Sequence, residues 1–526
     1  MQVVEQVTTV KQPRTRTVRP DIQRVLRWAR HPLFWVELAV GLYILLVSIT
    51  EMTGPLDRDE GAFLTIARVV LHGGLPYRDA FDQKSPAIYY LLAGLLAVTA
   101  WLTPLHQILV IRALVVLTNV ATAAGLVLLG KRWWRLEVGV LAAAFWLLCM
   151  PLFQGDHFFT EPFAIVTTVF ALVAVAYRPT ARGALVAGLL LALGSLFKQT
   201  TVLAVPGVLL VLLEGGRGWR NVVRVDRSAL VRVAAFVAGL AVPWVVVFAA
   251  FAAAGVFGAM WQQVVVSNIT HYPADGTLRD RLLLGPKRFP LVFVAPALLA
   301  AAGMLRWAGW WPGGRRAPSA ASVALLLIMA LASFPFLTHS YPHYWLQLLP
   351  SATLLTAVAA YAMLDAWRPR SALEPPAGWH TRALAPLLLL SFLLLATWST
   401  PPTTHLKLAE EGLRAQVNAG QLIAQNTTPG ERIVVMPAEA EYYYLSDRMP
   451  ATSTIYVQAI NITPQLVNQI IADITAQRYG AVVWRLGPFN DWTQNIAIYQ
   501  DLSAHYHLVA SDPPLGLQIW LPGGAA

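Results

Sequence analysis

The chain has 526 residues, of which 56% are hydrophobic and 13% charged, with a mean hydropathy of +0.54. Soluble domains are about 45–50% apolar and about 25% charged, so a soluble globular chain and a disordered one are both excluded. A formal charge of +11 would suggest a nucleic-acid partner in a soluble protein. In a membrane protein such an excess of Lys and Arg marks the cytoplasmic side instead, and no nucleic acid is expected.

Residues 1–32 are polar and basic, with Lys11, Arg14, Arg16, Arg19, Arg24, Arg27 and Arg30. No small-residue cleavage site follows, so the apolar run at 33–50 is read as a retained first span with a cytoplasmic N-terminus. Further apolar runs lie at 86–102, 106–130, 136–153, 161–177, 183–197, 200–213, 233–256, 289–305, 319–337, 344–364 and 383–398. A hydrocarbon core of about 30 Å takes about 20 helical residues. If 86–102 crossed, every later basic loop would fall on the wrong side. Laid at the outer interface, it leaves eleven spans plus one surface helix, and the basic loops alternate correctly. Cytoplasmic segments then carry 23 Lys+Arg against 7 Asp+Glu, and outer segments 16 against 20, with Glu37 inside the first span. The expected placement is a bacterial inner membrane, multi-pass, with the C-terminal part extracytoplasmic. The lone Cys149 lies in an apolar run and reads as a buried, inert thiol.

After Pro401-Pro402 the composition changes. Apolar strand-like runs at Ile433–Met436, Ala481–Trp484, Tyr506–Ala510 and Leu517–Leu521 alternate with helical stretches, which predicts a small α/β domain. The expected organisation is a basic segment at 1–32, a polytopic helical membrane domain at 33–398 with a first outer loop at 51–105, and an extracytoplasmic α/β domain at 399–526. The run Tyr442–Tyr444 is expected to pack inside that domain. The sequons at Asn268, Asn426 and Asn461 are read as chance.

Ionisable groups beside a bilayer are costly, so their placement is the strongest functional signal. The first outer loop carries Asp57-Arg58-Asp59-Glu60-Gly61 and, further on, Asp82-Gln83-Lys84-Ser85-Pro86. The second reads Gln154-Gly-Asp156-His157-Phe-Phe-Thr160-Glu161-Pro162. There Glu161 suits the N-terminus of a helix, with the alternative of a second carboxylate facing the first-loop acids. Lys198 lies at an outer turn between two apolar runs, against the positive-inside trend. Either it snorkels or, with Lys84 and Arg112, it binds a phosphate. The turn Thr338–Trp345 clusters His339, Tyr341, His343 and Tyr344. It suits an interfacial aromatic belt, and Pro342 between the two histidines argues against a zinc site. Asn268, His271, Arg279 and Lys287 in the next loop could cover a site. Acids beside bases on the outer face suit an anionic, lipid-linked substrate, with bases on its phosphate and an acid taking a proton from an acceptor. A nucleotide-sugar donor is disfavoured, because no Gly-rich phosphate loop is present. A transporter or flippase of a lipid-linked sugar, or an envelope-assembly scaffold, are the rival readings. The first lacks the repeated halves common in such folds.

On Asp59-Glu60, Lys84-Ser85-Pro86, Glu161-Pro162, Phe197-Lys198-Gln199 and Tyr341-Pro-His-Tyr344, in that order, the chain resembles the GT-C membrane glycosyltransferases. Within them it is most similar to the group holding the aminoarabinose lipid A transferases and protein O-mannosyltransferases (family 39/83-like). The resemblance covers most of the membrane region. It implies a GT-C fold with juxtamembrane helices in the first loop, and inverting transfer of a sugar from a polyprenyl-phosphate donor to an extracytoplasmic glycan, lipid or protein. It implies a catalytic role for Asp59, with Glu60 and Glu161 as further acids, and phosphate binding by Lys84, Lys198, Tyr344 and Arg112. Arg58, Asp82, Asp156, His157, Asn268, His271 and His343 are candidate substrate contacts. Two positions depart from the aminoarabinose transferases. Gln83 stands where those enzymes place a metal-holding Glu, and Asn268 falls near their histidine ligand. No cofactor is therefore assigned, and Asp59, Asp82 and Glu161 remain the candidates for a divalent ion.

Overall fold

The computed structural model describes residues 52–214, 226–270, 277, 279, 320–334, 341–365, 402–457, 461–487 and 493–523. The expected spans at 33–50, 289–305 and 383–398, together with His271 and His339, lie outside the described residues.

The described chain is mainly helical. Helix α1 (Arg58–Leu71) leads to α2 (Ala87–Val98), α3 (Pro104–Trp133), α4 (Leu136–Cys149), α5 (Thr160–Tyr177) and α6 (Ala181–Phe197). A 3₁₀ turn at Gln199–Ala204 then enters α7 (Val205–Glu214), followed by α8 (Arg227–Ala253), α9 (Phe257–Trp261) and, after a π-helical turn at Gln262–Val266, α10 (Ser267–Thr270). Helices α11 (Ala320–Ala332) and α12 (Leu349–Asp365) complete this part, with a 3₁₀ turn at Pro342–Gln347 before α12. Among the described residues α3, α5 and α8 are long and apolar enough to cross a membrane, and α4, α6, α11 and α12 are shorter apolar helices. Helix α2 has 12 residues. At 1.5 Å per residue it reaches about 18 Å, too short to cross.

Helices α6 and α8 approach closely because glycines face each other. A Cβ on Gly188 would stand 2.1 Å from Phe236 O, and one on Gly239 would stand 2.3 Å from Leu185 O. Small residues of this kind let helix backbones meet where lipid supplies no hydrophobic drive. Cys149 is a buried free thiol.

Helix α13 (Pro402–Gln425) opens the C-terminal part. The four expected apolar runs are strands β1 (Arg432–Met436), β3 (Ala481–Arg485), β4 (Tyr506–Asp512) and β5 (Leu517–Pro522). A short β2 (Met449–Pro450) adds an edge, and the sheet order is β2-β1-β3-β5-β4. β1 runs parallel to β2 and β3, whereas β5 runs antiparallel to β3 and β4. Helices α14 (Glu441–Leu445), α15 (Pro464–Thr475) and α16 (Thr493–His505) flank it.

Tyr442–Tyr444 are buried as expected, but in helix α14. They pack against the first loop as well as their own sheet. One apolar core runs from Leu56, Phe63 and Ile66 through Leu413, Ile423 and Tyr442 to Ile433 and Val483. Helix α14 lies so close to α1 that a Cβ on Gly61 would fall 2.5 Å from Glu441 N. Polar bonds seal the joint: Gln416 exchanges bonds with both Leu56 N (2.7 Å) and Leu56 O (3.2 Å), and Thr65 Oγ1 donates to Ala440 O at 2.7 Å.

Candidate active site

Helix α1 begins with a capping box. Asp57 accepts from Asp59 N at 3.0 Å, and Glu60 Oε2 accepts from Asp57 N at 2.9 Å. This closure satisfies two helix-end donors and turns Glu60 back toward the start of the helix. Successive helical residues diverge by about 100°, so Asp59 and Glu60 face different neighbours.

Glu60 faces inward and is fully buried. Its Oε2 lies 3.3 Å from Arg112 Nη2, and its Oε1 accepts from Phe158 N at 3.0 Å. His157 Nδ1 stands 3.4 Å from Oε2, an ion-pair distance without hydrogen-bond alignment. Arg112 also donates to Met52 O, Gly54 O and Pro55 O at 2.9, 2.6 and 3.1 Å. The structure therefore places Arg112 and Glu60 in a buried clamp that ties α3, the first loop and the second loop together. The sequence reading set Arg112 on a phosphate and Glu60 in catalysis. Instead, they hold each other, because the loop backbone and the opposite charge satisfy both. Burial opposes ionisation of Glu60, but Arg112 and His157 outweigh it and hold the carboxyl down at about 2. Burial likewise opposes charge on His157, but Glu60 and then Asp156 raise its pKa to about 9.

Asp59 faces the other way, a third exposed, and its Oδ2 accepts from Lys84 Nζ at 3.0 Å. Burial pushes its carboxyl up, yet Lys84 and His343 outweigh this and leave it below the ordinary aspartate value. Glu161, in the first turn of α5, pairs with Lys198 and accepts from Thr160 Oγ1 at 3.0 Å. Lys198 sits in extended backbone at the break between α6 and the 3₁₀ turn, which aims its ammonium away from the helix axis. The ammonium lies 4.2 Å from the centre of the Tyr344 ring, a cation–π distance. His343 Nε2 stands 3.8 Å from Glu161 Oε1, and its Nδ1 lies 3.3 Å from Gln154 Oε1. Burial pushes His343 down to about 4, so it is a neutral imidazole at physiological pH. Lys84 lies close enough to influence Glu161, Lys198 and His343, so the two lysine–carboxylate pairs form one cluster.

The segment under Lys84 holds Asp82, whose Oδ1 accepts from Gln83 N at 2.6 Å. Burial raises the Asp82 carboxyl to about 6 despite Lys84 nearby. Asn268 reaches the same segment by donating to Gln83 O at 2.9 Å. Arg58 turns to the C-terminal part, 3.5 Å from Glu439, which Arg485 also approaches at 3.3 Å. Among the described residues no three His, Cys, Asp or Glu side chains gather as a metal site. Asp59 and Glu161 are each occupied by a lysine, which does not suit them as joint cation ligands.

Tyr456 is at this site without having been anticipated, and Gln199, which the sequence offered only as part of the Phe197-Lys198-Gln199 element, is there too. Gln199 follows Lys198 directly, the one local hint. Tyr456 comes from a segment about 370 residues further along and carries no signal of its own.

A small apolar cavity of about 30 Å³ lies between α3, α5, α11 and α12. It is lined by Leu129, Val169, Leu172, Leu325, Ile328 and Leu354, with Thr200 and Gln347 among its polar lining residues. Those two polar side chains bond each other at 2.9 to 3.0 Å, and they immediately follow the Lys198 and Tyr344 segments.

No family model matches the chain, and no curated protein matches it by sequence. By fold it is similar to ArnT from Cupriavidus metallidurans bound to undecaprenyl phosphate, at 15% identity and a TM-score of 0.57, covering 93% of this chain and 98% of that one. The apo state of the same ArnT aligns at 13% identity and a TM-score of 0.58, with the same coverage. The archaeal oligosaccharyltransferase AglB from Archaeoglobus fulgidus, in complex with an inhibitory peptide and a dolichol-phosphate, aligns at 13% identity and a TM-score of 0.51. That alignment covers 93% of this chain and 74% of AglB. The chain thus shares the fold of ArnT and AglB.

Proposed function

We propose that the protein is an integral-membrane glycosyltransferase that moves a sugar from a polyprenyl-phosphate donor to an extracytoplasmic acceptor with inversion. The observation that carries this reading is the meeting of the Asp59–Lys84 and Glu161–Lys198 pairs in one cluster. Charges that converge at one point suit a reaction centre, whereas a transport path needs them strung across the bilayer. The likeness in fold to ArnT bound to undecaprenyl phosphate supports the donor class.

In this reading Lys84 and Lys198 hold the donor phosphate. Asp59 is ionised and reachable, so it accepts the proton of the acceptor hydroxyl or amine. The acceptor atom bonds to the anomeric carbon as the bond from that carbon to the phosphate oxygen breaks. The lysines stabilise the negative charge gathering on the departing polyprenyl phosphate. When Lys84 turns to the phosphate, its hold on Asp59 weakens and Asp59 becomes more basic as the donor arrives. Glu161 keeps Lys198 charged in its buried place, and Tyr344 lines the same ammonium.

The test is mass spectrometry of lipid that co-purifies with the protein. A polyprenyl phosphate, alone or with a sugar, is the expected result and would name the donor. Preparations that hold only bulk phospholipid, and that transfer no sugar from polyprenyl-phosphate donors, would sink the reading.

A further inference from the structure

Asp82, Gln83 and Lys84 lie in irregular backbone between α1 and α2, yet they are gripped from several sides. Tyr77 Oη donates to Lys84 O at 2.8 Å. Gln199 Nε2 donates to Gln83 O at 3.0 Å, and Asn268 Nδ2 donates to the same oxygen at 2.9 Å. Asp82 N donates to Gln263 Oε1 at 3.2 Å. From the C-terminal part, Tyr456 Oη donates to Gln83 Oε1 at 2.8 Å and lies 3.1 Å from Asp82 Oδ1. The same strip of chain takes the backbone bond of Phe81 N to Ser453 O at 2.7 Å, and the Tyr456 ring meets the Phe81 ring edge-on at 5.9 Å.

We propose that Tyr456 is a positioning residue for Lys84: by holding the Asp82 and Gln83 side chains from the C-terminal part, it sets where the Lys84 ammonium stands relative to Lys198. Gln199 provides the opposite tie, because it joins the turn that carries Lys198 to the peptide that carries Lys84. The distance between the two cations is therefore set by hydrogen bonds between three segments remote in sequence. A phosphate bound by two ammonium groups is sensitive to that distance, since charge-assisted bonds weaken steeply outside their preferred lengths. The C-terminal part then completes the site, and its docking governs donor binding. This inference rests on the reading of Lys84 as a phosphate ligand.

The full-length protein in detergent tests it, with Tyr456→Phe, which keeps the ring against Phe81 and removes the hydroxyl. Undecaprenyl phosphate binding should weaken about tenfold, the scale of one buried hydrogen bond. In transfer assays kcat/KM for the donor should fall by at least a similar factor, with the acceptor KM nearly unchanged. Labelling of Lys84 by an amine reagent, followed by peptide mass spectrometry without lipid, should speed up several-fold while Lys198 keeps its rate. Gln83→Leu should reproduce this pattern. Wild-type donor binding and wild-type Lys84 labelling in both variants would overturn the inference. So would a fall in thermal stability with the Lys84 labelling rate unchanged, since that marks a structural role. A wild-type protein that binds no undecaprenyl phosphate would remove the functional reading, while faster Lys84 labelling in Tyr456→Phe would still support the positional coupling.

Discussion

Arg112 Nη2 and Glu60 Oε2 lie 3.3 Å apart, with both side chains almost entirely out of solvent. Asp59, the preceding residue on the same helix, points the other way and meets Lys84. A buried ion pair adds little over an apolar substitute, but removing one partner leaves an uncompensated charge, at a cost of about 3–5 kcal/mol. Glu60→Ala and Arg112→Ala should therefore each lower thermal and denaturant stability by that amount. The measurement is the unfolding midpoint in detergent. Stability close to wild type would show that the pair does not carry the loop.

The same clamp predicts a pH dependence. The folded pKa of His157, about 9, lies above its ordinary value of 6.5. The folded state thus favours the charged form, and the ion pair contributes fully below about 6.5 and is lost as pH rises through about 9. Wild-type protein should lose more thermal stability between pH 6.5 and 9 than His157→Gln, whose curve should be flatter there. On the acid side Glu60 works in the opposite sense. Its stabilisation is present above its ordinary 4.5 and is lost as pH falls through about 2. Parallel curves for wild type and His157→Gln above pH 6.5 would refute the pairing with Glu60.

Lys84→Ala and Lys198→Ala should each reduce kcat/KM for sugar transfer by about 10²- to 10³-fold, the usual effect of removing one preorganised donor to developing charge. Lys198→Ala should also destabilise the fold, because it strands the buried Glu161 carboxylate. Lys84→Ala should be better tolerated, since Asp59 is reached by solvent. Steady-state kinetics alongside melting curves separates the two effects. Equal stability in both variants would contradict the burial argument.

Asp59→Asn keeps the shape of the site and removes the carboxylate. Loss of a positioned base typically costs about 10²- to 10⁴-fold. Transfer should fall by that factor while binding of undecaprenyl phosphate persists. Transfer at the wild-type rate would exclude Asp59 as the base.

Gly61→Val would place its Cβ 2.5 Å from Glu441 N, a backbone atom that cannot yield. The variant should release helix α14 from α1 and expose the segment after α13 to proteolysis. Limited proteolysis with mass mapping reads this directly, and an unchanged cleavage pattern would show that the contact is dispensable.

Much of this architecture is written locally in the chain. Apolar runs bounded by basic loops become helices because a span must satisfy its own backbone, and the short apolar runs near the C-terminus become strands β1, β3, β4 and β5. The charged groups of the site stand out because burying them is costly, and the order of motifs shared with a known family singles out Asp59, Lys84, Glu161 and Lys198 among them. Their partners could not be read that way. Asp59 and Glu60 are adjacent and alike in sequence, and only the direction each takes from α1 decides that one meets Lys84 and the other Arg112. Arg112 reads as a phosphate ligand until the loop carbonyls that occupy it are in place. Tyr456 is invisible from sequence, because its role arises from a contact some 370 residues away. Local periodicity and the cost of burying charge are properties of a short stretch of chain, and the sequence determines them by itself. Which charge neutralises which, and which segment sets the distance between two lysines, are properties of the packing, and only the tertiary structure decided them.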